Sequence, residues 1–309
     1  MHIVPVLQPG SPQAQVIAHL FRAILIACGV IMAVVTGAIV YSLMHFRSRP
    51  GAPEPPQILG SKPLEILWTV VPILVVVWMF MLTARASRES DPTPAVLDPD
   101  LRVIGHQWWW EALYPKSSAV TANEIHIPTG QRLLVQVDSA DVIHDFWVPE
   151  LGRKMDMIPG HPNYIWLEAT QPGTYRGACA EYCGAQHAWM RIMVVADPPV
   201  AFDSWVRHQA QPAPNTVSKH AEGAALFQQL TCANCHAIRG SSATNQFAPD
   251  LTHLAERRTL AAGVLSNTLP NLVEWLRSPQ TLKPGCLMPN LQLTPTQASA
   301  LADYLESLK

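Results

Sequence analysis

Apolar and polar residues follow three different patterns along this chain of 309 residues. Residues 23–44 and 66–84 form two runs of 22 and 19 residues that contain no Asp, Glu, Lys or Arg. Each run is close to the roughly 20 apolar residues that a helix needs to cross a bilayer. Both are too long and too uniformly apolar for ordinary core helices. Residues 1–90 therefore predict a transmembrane helical hairpin, with helices at about 17–44 and 65–84.

The loop between the two apolar runs carries Arg47, Arg49 and Lys62. Basic loops favour the cytoplasmic side of a membrane, although Arg85 and Arg88 after the second run weaken the asymmetry. With this orientation both termini, and everything after residue 90, lie outside. We expect a multi-pass protein of a bacterial inner (plasma) membrane whose later domains are on the periplasmic or outer face.

The patterning changes after a proline-rich linker at residues 91–99. Residues 100–207 are short β-rich runs separated by Pro, Gly and Asp, which is typical of a sandwich or barrel. A polar, proline-containing segment at residues 208–218 predicts a semi-extended linker. Residues 219–309 have helical periodicity, and Thr294 with Pro295 predicts the start of the last helix. The sequence thus predicts a multidomain membrane protein with a β domain and a small all-α domain.

Composition narrows the class of protein further. Charged residues make up only 14% of the chain, against about a quarter in soluble proteins, and the deficit lies in the two apolar runs. The formal net charge of −2 gives no sign of a nucleic-acid partner. Residues 98–207 hold 13 acidic and 8 basic residues, a balance of −5. Such a surface can steer a basic partner, but it is also ordinary for a soluble domain.

The segment TCANCHAIRG (231–240) contains the C-x-x-C-H pattern of covalent c-type haem attachment. It could instead be a chance pair of cysteines or a redox disulfide. The motif lies near the start of the helical domain, and LMPN (287–290) follows about fifty residues later, where methionine can supply the second axial ligand. This arrangement resembles class I cytochrome c. The resemblance implies thioether bonds from Cys232 and Cys235, His236 as proximal ligand and Met288 as distal ligand.

The cysteines give no disulfide scaffold, because six in total are too few for a chain of this size. Cys28 lies within the first apolar run and is interpreted as a packing residue, and Cys286 has no role that the sequence indicates. The segment CAEYCGAQHAWM (179–190) could be a disulfide, a zinc site or packed core. Thiolates, an imidazole and a thioether together are a copper set, since zinc seldom uses methionine. Two bridging thiolates could hold two coppers, with His144 as a second imidazole.

The segments GHQWWW, VIHDFWVPELGRKMDMIPG and CAEYCGAQHAWM, in this order after two apolar runs, resemble subunit II of the haem–copper cytochrome c oxidases. The resemblance covers residues 15–207, and the added haem domain resembles the variant with cytochrome c fused to the C-terminus. It implies a cupredoxin-like β-barrel with a binuclear CuA centre. The implied copper ligands are His144, Cys179, Glu181 through its backbone carbonyl, Cys183, His187 and Met190.

The resemblance also implies roles for three further side chains. Trp108 would be the residue at which electrons enter the copper domain. Glu65, at the start of the second apolar run, would lie at the mouth of a proton pathway into subunit I. The Glu181 side chain would contribute to a magnesium or manganese site shared with subunit I. From the residues alone, Trp108 could equally be packing and Glu65 a solvated interfacial carboxylate.

The implied function is that of an electron-accepting subunit of a proton-pumping terminal oxidase. Electrons from cytochrome c would pass through the fused haem c and CuA to subunit I, where O2 is reduced to water. The expected partners are subunits I and III, a cytochrome c or similar donor, and the lipid bilayer, with no nucleic acid.

Three different functions compete with this one. A quinol-oxidase subunit II shares the hairpin and the barrel but would lack the copper ligands. A membrane-anchored copper–haem carrier for a nitric or nitrous oxide reductase could hold the same cofactors. A copper-delivery protein would not need a covalent haem.

Overall fold

The structure, a computed structural model, describes residues 7–47, 50–51, 54, 57, 60–91 and 98–309. It divides into two compact units, Gln15–Ser90 and a unit formed by Met1–Ala14 with Asp91–Lys309. Arg49, one of the basic residues used for the predicted orientation, is outside the described residues, as are residues 92–97 of the predicted proline-rich linker.

The two apolar runs form helices α1 (Pro12–His45) and α2 (Lys62–Ser90). Their most apolar windows have mean hydropathies of 2.7 and 2.4, and none of either window is buried inside the structure. Even the 29-residue α2 is about 43 Å long, which exceeds a hydrocarbon layer of about 30 Å. Both helices are longer than predicted, because helical hydrogen bonding continues into polar ends such as the Arg85–Glu89 pair at 2.8 Å.

Within residues 98–309, ten strands form two five-stranded sheets, ordered β3-β2-β1-β5-β8 and β4-β10-β9-β6-β7. Most neighbouring strands are antiparallel, but β1 pairs with β5 and β10 with β4 in parallel. The strands are β1 Leu101–His106, β2 Trp109–Tyr114, β3 Ala119–Ala122, β4 Glu124–Pro128, β5 Leu133–Ser139, β6 His144–Trp147, β7 Met155–Met157, β8 Asn163–Leu167, β9 Gly173–Cys179 and β10 Arg191–Asp197.

The two sheets share one apolar core. Alternate residues of β1 are fully buried, as expected for strands with one face inward. Trp110 from one sheet meets Phe146 from the other edge to face, with ring centroids 6.0 Å apart. The Tyr114 hydroxyl donates to the His126 carbonyl at 2.8 Å and accepts from the His126 amide at 2.9 Å. These bonds join β2 to β4, the edge strand of the second sheet.

Helix α3 (Pro199–Gln209) closes one end of the β domain. Trp205 stacks on His126 at 4.1 Å, and the Gln209 side chain donates to the Val120 carbonyl at 2.8 Å. The helix therefore reaches two residues into the segment that the sequence predicted as a linker. Beyond it, the Ala213 amide donates to the Arg239 carbonyl at 2.9 Å.

The C-terminal domain consists of α4 Ala221–Gln229, α5 Leu269–Arg277, α6 Pro279–Leu282 and α7 Pro295–Glu306, with a short hairpin of β11 Thr259–Leu260 and β12 Leu265–Ser266. Thr294 caps α7 in a capping box with Gln297, as the Thr-Pro pair predicted. Helix α7 packs against α4 and α5 around a core that includes Phe227 and Leu301. The hairpin was not predicted, because two-residue strands leave no periodicity to detect.

Candidate metal centre and haem-attachment site

The cysteine-rich segment connects β9 to β10 at one end of the second sheet. Cys179 is the last residue of β9 and Met190 immediately precedes β10, so the two strands hold the ends of the loop together. The Cys179 amide donates to the Met190 carbonyl at 3.1 Å. A 3-10 turn at His187–Trp189 returns the chain towards β10. His144 begins β6, which pairs with β9 on its other side, so it reaches the same loop.

The structure brings five of the predicted ligand side chains together. The two cysteine sulfur atoms are 3.8 Å apart and both thiols are free. Cys179 Sγ is 3.8 Å from His144 Nδ1, and Cys183 Sγ is 3.7 Å from His187 Nδ1. The Met190 sulfur is 3.9 Å from Cys183 Sγ. Each thiol thus contacts one imidazole, and the two donor sets meet at the pair of thiols.

This arrangement fits metal ions better than a disulfide or plain core packing. Donors around one metal, at bond lengths of about 2.0–2.3 Å, lie some 3.3–3.8 Å from each other. The observed separations between sulfur and nitrogen donors, 3.7 and 3.8 Å, fall in that range. A disulfide would need sulfur atoms at about 2.05 Å. Thiolate, imidazole and thioether donors together favour copper.

His144 is oriented by residues that the sequence did not single out. Its Nε2 lies 2.8 Å from the Asp141 carboxylate, which leaves Nδ1 directed at Cys179. A carboxylate on the far nitrogen is the usual way in which proteins orient a metal-binding imidazole. A Cβ atom at Gly105 would stand 2.8 Å from the His144 ring, so β1 can pass this close only with glycine there. Neither residue has a sequence signal that distinguishes it from its neighbours.

A hydrogen bond joins the two thiols, so the proton state of one depends on the other. The hydrogen bond from Cys183 lowers the pKa of Cys179, and His144 contributes in the same direction. The same hydrogen bond, together with burial, raises the pKa of Cys183. The thiol pair therefore keeps one proton more readily than it loses both. A bound cation would displace that proton, which is how metal binding is linked to pH.

Asp145 is fully buried beside His144, where charge is costly. Burial raises the pKa of Asp145 to about 7, and the neighbouring Asp156 adds to the shift. Lys154 opposes it, with its Nζ 3.3 Å from the Asp145 carboxylate. Besides Asp141, the site thus has a second carboxyl group, that of Asp145. Its charge depends on Asp156 and Lys154.

Glu181 presents its backbone and its side chain in different directions. Its carbonyl lies 3.2 Å from Cys179 Sγ, in position to join the donor set. The residue itself is exposed. The backbone is therefore available to a metal in the loop while the carboxylate is available to a partner.

The Trp108 side chain is hydrogen-bonded to the backbone of the cysteine loop, residues 179–190. Its indole Nε1 donates to the Cys183 carbonyl at 2.9 Å, and the Gln107 side chain donates to the same oxygen at 2.8 Å. A Cβ atom at Gly184, whose φ is +114°, would stand 2.9 Å from the Trp108 ring. Glycine is thus required there both by the backbone conformation and by the indole. The sequence indicated Trp108, but not its partners Gln107 and Gly184.

The C-x-x-C-H segment forms a 3-10 turn near the start of the C-terminal domain. His236 is partly buried, and its Nδ1 lies 2.7 Å from the Pro249 carbonyl, which leaves Nε2 for an iron ion. Burial lowers the pKa of His236, so the ring is neutral, as a metal ligand must be. Cys232 and Cys235 are free thiols at the ends of one 3-10 turn. Met288 packs against the core of the same domain.

Two predicted or candidate groups lie away from these centres. Glu65 is in the first turn of α2 and is exposed, with the Thr69 hydroxyl donating to its backbone carbonyl at 2.8 Å. His208, His253 and Glu256 form a second group whose donor atoms lie within 4.8 Å of one another. There His208 and Glu256 already form an ion pair at 3.1 Å, so the group is a contact between α3 and the C-terminal domain.

Comparison with known proteins finds matches along nearly the whole chain. The family profile of the cytochrome c oxidase subunit II transmembrane domain matches residues 4–84, and that of the periplasmic domain of the same subunit matches residues 118–197. The cytochrome c profile matches residues 220–309. The matches follow the order of the three domains, and they confirm the fold class predicted from the sequence.

Relatives from several bacteria are similar to this chain. Cytochrome c oxidase subunit 2 of Alkalihalophilus pseudofirmus is 36% identical over 98% of this chain and 90% of its own length. The protein of the same name from Bacillus sp. strain PS3 is 34% identical over 85% of this chain and 80% of its own length. The crystal structure of the periplasmic domain of cytochrome oxidase subunit II of Bradyrhizobium japonicum is 33% identical, with a TM-score of 0.35, over 37% of this chain and 96% of that one.

Substituting Gly184→Ala tests the contact between the loop and Trp108. We expect it to destabilise the protein by about 1–3 kcal/mol more than Gly130→Ala, because only the first forces a methyl group against the indole. Gly130 also has a positive φ, +71°, but open space around its Cβ position. Calorimetry of both variants measures the difference. Equal destabilisation would mean that backbone strain alone explains the glycine.

Proposed function

The chain belongs to the cytochrome c oxidase subunit II family, with a fused cytochrome c domain, and we propose that it passes electrons from an external cytochrome c to subunit I. As a component of the oxidase it associates with subunit I. Helices α1 and α2 anchor it in the membrane, and the other domains are extracellular. The proposal places O2 reduction to water, coupled to proton translocation, in subunit I. The observation that carries it is the double donor set around Cys179 and Cys183.

The β domain would hold the binuclear copper centre, CuA. The thiolates of Cys179 and Cys183 and the imidazoles of His144 and His187 would hold the two ions. Met190 and the Glu181 carbonyl would be the weaker ligands. When bound, the copper pair and the covalent haem c would each supply one-electron redox chemistry. Cys179, Cys183 and Met190 are buried, so water is excluded from their sulfur atoms.

The C-terminal domain would hold haem c. Cys232 and Cys235 would form thioethers with the haem, and His236 and Met288 would be the ligands of its iron. Pro249 fixes the imidazole ring by accepting from Nδ1. A methionine opposite a histidine raises the reduction potential, so this ligand pair suits a domain that accepts electrons readily. In the proposed path the C-terminal domain accepts the electron first and the β domain second.

Trp108 would provide the route into the β domain. Its indole is hydrogen-bonded to the backbone of Cys183, so one short bonded path joins the aromatic ring to a bridging thiol. The ring is partly buried and packs against the core of the β domain.

Contacts with the rest of the oxidase complete the proposal. The exposed Glu181 carboxylate would share a magnesium or manganese ion with subunit I, and Glu65 would stand at the mouth of a proton pathway into that subunit. Subunit III would be a further partner, and the membrane would be the inner membrane of a bacterium. A copper–haem carrier for another reductase would purify without a large haem-bearing subunit, so co-purification separates the two functions.

Removing either bridging thiol is expected to abolish copper binding. The full chain should contain two copper ions and one covalent haem, with an EPR signal whose hyperfine splitting is shared by two coppers. Cys179→Ser and Cys183→Ser should lose that signal and keep the haem. Cys286→Ser, which removes a free thiol outside both donor sets, is the control and should retain both. A single-copper spectrum in the unaltered chain would overturn the proposal.

Replacing Trp108→Phe is expected to slow electron transfer from the C-terminal domain to the β domain, because phenylalanine cannot donate to the Cys183 carbonyl. Stopped-flow absorbance of the reduced full chain measures the rate. Trp166→Phe, in β8 and remote from the loop, is the control. Unchanged rates in both variants would remove Trp108 from the route.

Glu65→Gln is expected to lower proton translocation by the assembled oxidase while copper and haem contents stay unchanged. The control is Glu54→Gln, which neutralises an exposed glutamate in the loop between α1 and α2. Proton uptake by vesicles containing each variant gives the comparison. Equal translocation in both would make Glu65 an ordinary interfacial carboxylate.

A further inference from the structure

Two charged side chains of opposite sign are buried where the C-terminal domain meets the β domain. Glu124 on β4 is 3% exposed, and Lys283, which follows α6, is 4% exposed. Both domains belong to one compact unit. Buried charges are costly unless their partners are in place, so each of these side chains depends on the other domain being there.

Lys283 has a complete set of acceptors. Its Nζ donates to the carbonyls of Trp108 at 2.9 Å, Trp189 at 3.2 Å and Ala261 at 3.0 Å. An ammonium group has three donors, so none is unused. Burial lowers the pKa of Lys283 to about 8, which still leaves the group protonated at neutral pH. Two of the three acceptors belong to the β domain: Trp189 lies within the cysteine loop, and Trp108 is hydrogen-bonded to it.

Glu124 makes the reciprocal contact. One carboxylate oxygen accepts from the Arg258 amide at 2.8 Å, the Thr259 amide at 2.7 Å and the Thr259 hydroxyl at 3.0 Å. All three donors lie at the start of the β11–β12 hairpin of the C-terminal domain. The β domain therefore contributes the anion at one end of the interface, and the C-terminal domain contributes the cation at the other.

Apolar and backbone contacts fill the space between the two charges. Trp109 and Ala262 belong to one buried cluster, and the Arg191 amide donates to the Ala262 carbonyl at 3.2 Å. Next to Lys283, the Gln186 side chain donates to the Pro284 carbonyl. The contact is continuous from β4 to the cysteine loop.

Lys283 also belongs to the loop that carries the predicted haem ligand. The Gln280 side chain donates to the carbonyls of Cys286 at 2.7 Å and Met288 at 2.8 Å, so residues 280–288 form one hydrogen-bonded loop. In the β domain, Trp189 and Gln186 lie on either side of His187. The single ammonium group therefore links the loop of Met288 to the loop of Cys183 and His187.

We propose that Lys283 and Glu124 are positioning residues that hold the C-terminal domain in one fixed orientation, with its methionine loop against the cysteine loop of the β domain. Two opposite charges at opposite ends permit one orientation, because any other leaves a buried charge without partners. Electron transfer between the domains then requires no domain movement. Only the expected electron-transfer rate rests on the proposed function. The fixed interface can be measured whether or not that function is correct.

The first test is amide hydrogen exchange of the full chain. Lys283→Met keeps the length of the apolar stem and removes the ammonium group. We expect exchange of residues 258–264 and 283–288 to be at least about tenfold faster, the equivalent of about 1.4 kcal/mol. Glu124→Gln should have the same effect on the hairpin. Lys219→Met and Glu222→Gln, at exposed positions of the C-terminal domain, are the matched controls and should leave exchange unchanged.

Copper EPR and haem absorbance of each variant separate the interface from the sites. Unchanged spectra with faster exchange support the proposal. Unchanged exchange in both Lys283→Met and Glu124→Gln overturns it, whether or not copper is present. A failure of the proposed function would instead be seen as missing copper in the unaltered chain.

A second measurement needs no substitution. In the unaltered chain the rate of electron transfer from the C-terminal domain to the β domain should not depend on solvent viscosity. A domain that swings between sites would be slowed in proportion to the viscosity. A rate that falls as glycerol is added would therefore overturn the proposal, even if a substituted protein failed to fold.

Discussion

The antiparallel pairing of β9 with β6 on one side and with β10 on the other is the constraint on which the rest of the site depends. It places Cys179, at the end of β9, next to Met190 and opposite Phe146, so its thiol reaches the imidazole of His144 two residues earlier in β6. The loop between β9 and β10 then needs only to fold back to bring Cys183 and His187 to the same point. Because the strands are part of a buried sheet, the donors are held in place by the whole core and not by the loop alone.

The surroundings of the loop restrict it further. Asp141 orients one imidazole, and Trp108 with Gln107 holds the Cys183 carbonyl. Gly105 and Gly184 allow a ring to come closer than any side chain would permit. A site supported in this way has little freedom to rearrange, which suits a centre that gains and loses an electron without changing its ligands.

The C-terminal domain adds a second constraint. Its contact with the β domain contains buried charges that have hydrogen-bond partners. A flexibly tethered domain would instead make exposed polar contacts. The carbonyl of Trp108 is one of those partners, so the residue next to the cysteine loop also contacts the neighbouring domain. Positioning of the two proposed cofactors and stability of the interface thus depend on the same few residues.

The sequence by itself determined the parts whose signals are local. Two uncharged runs predicted the hairpin, C-x-x-C-H predicted the haem site, and the spacing in CAEYCGAQHAWM with His144 predicted the metal ligands that the structure brings together. Helix ends were placed less well, since polar residues extend α1 and α2 past their apolar runs. Only the tertiary structure decided the roles of Asp141, Gln107, Glu124 and Lys283. Their partners are up to 175 residues away, and a single buried charge leaves no pattern in the sequence until the fold supplies the groups that neutralise it.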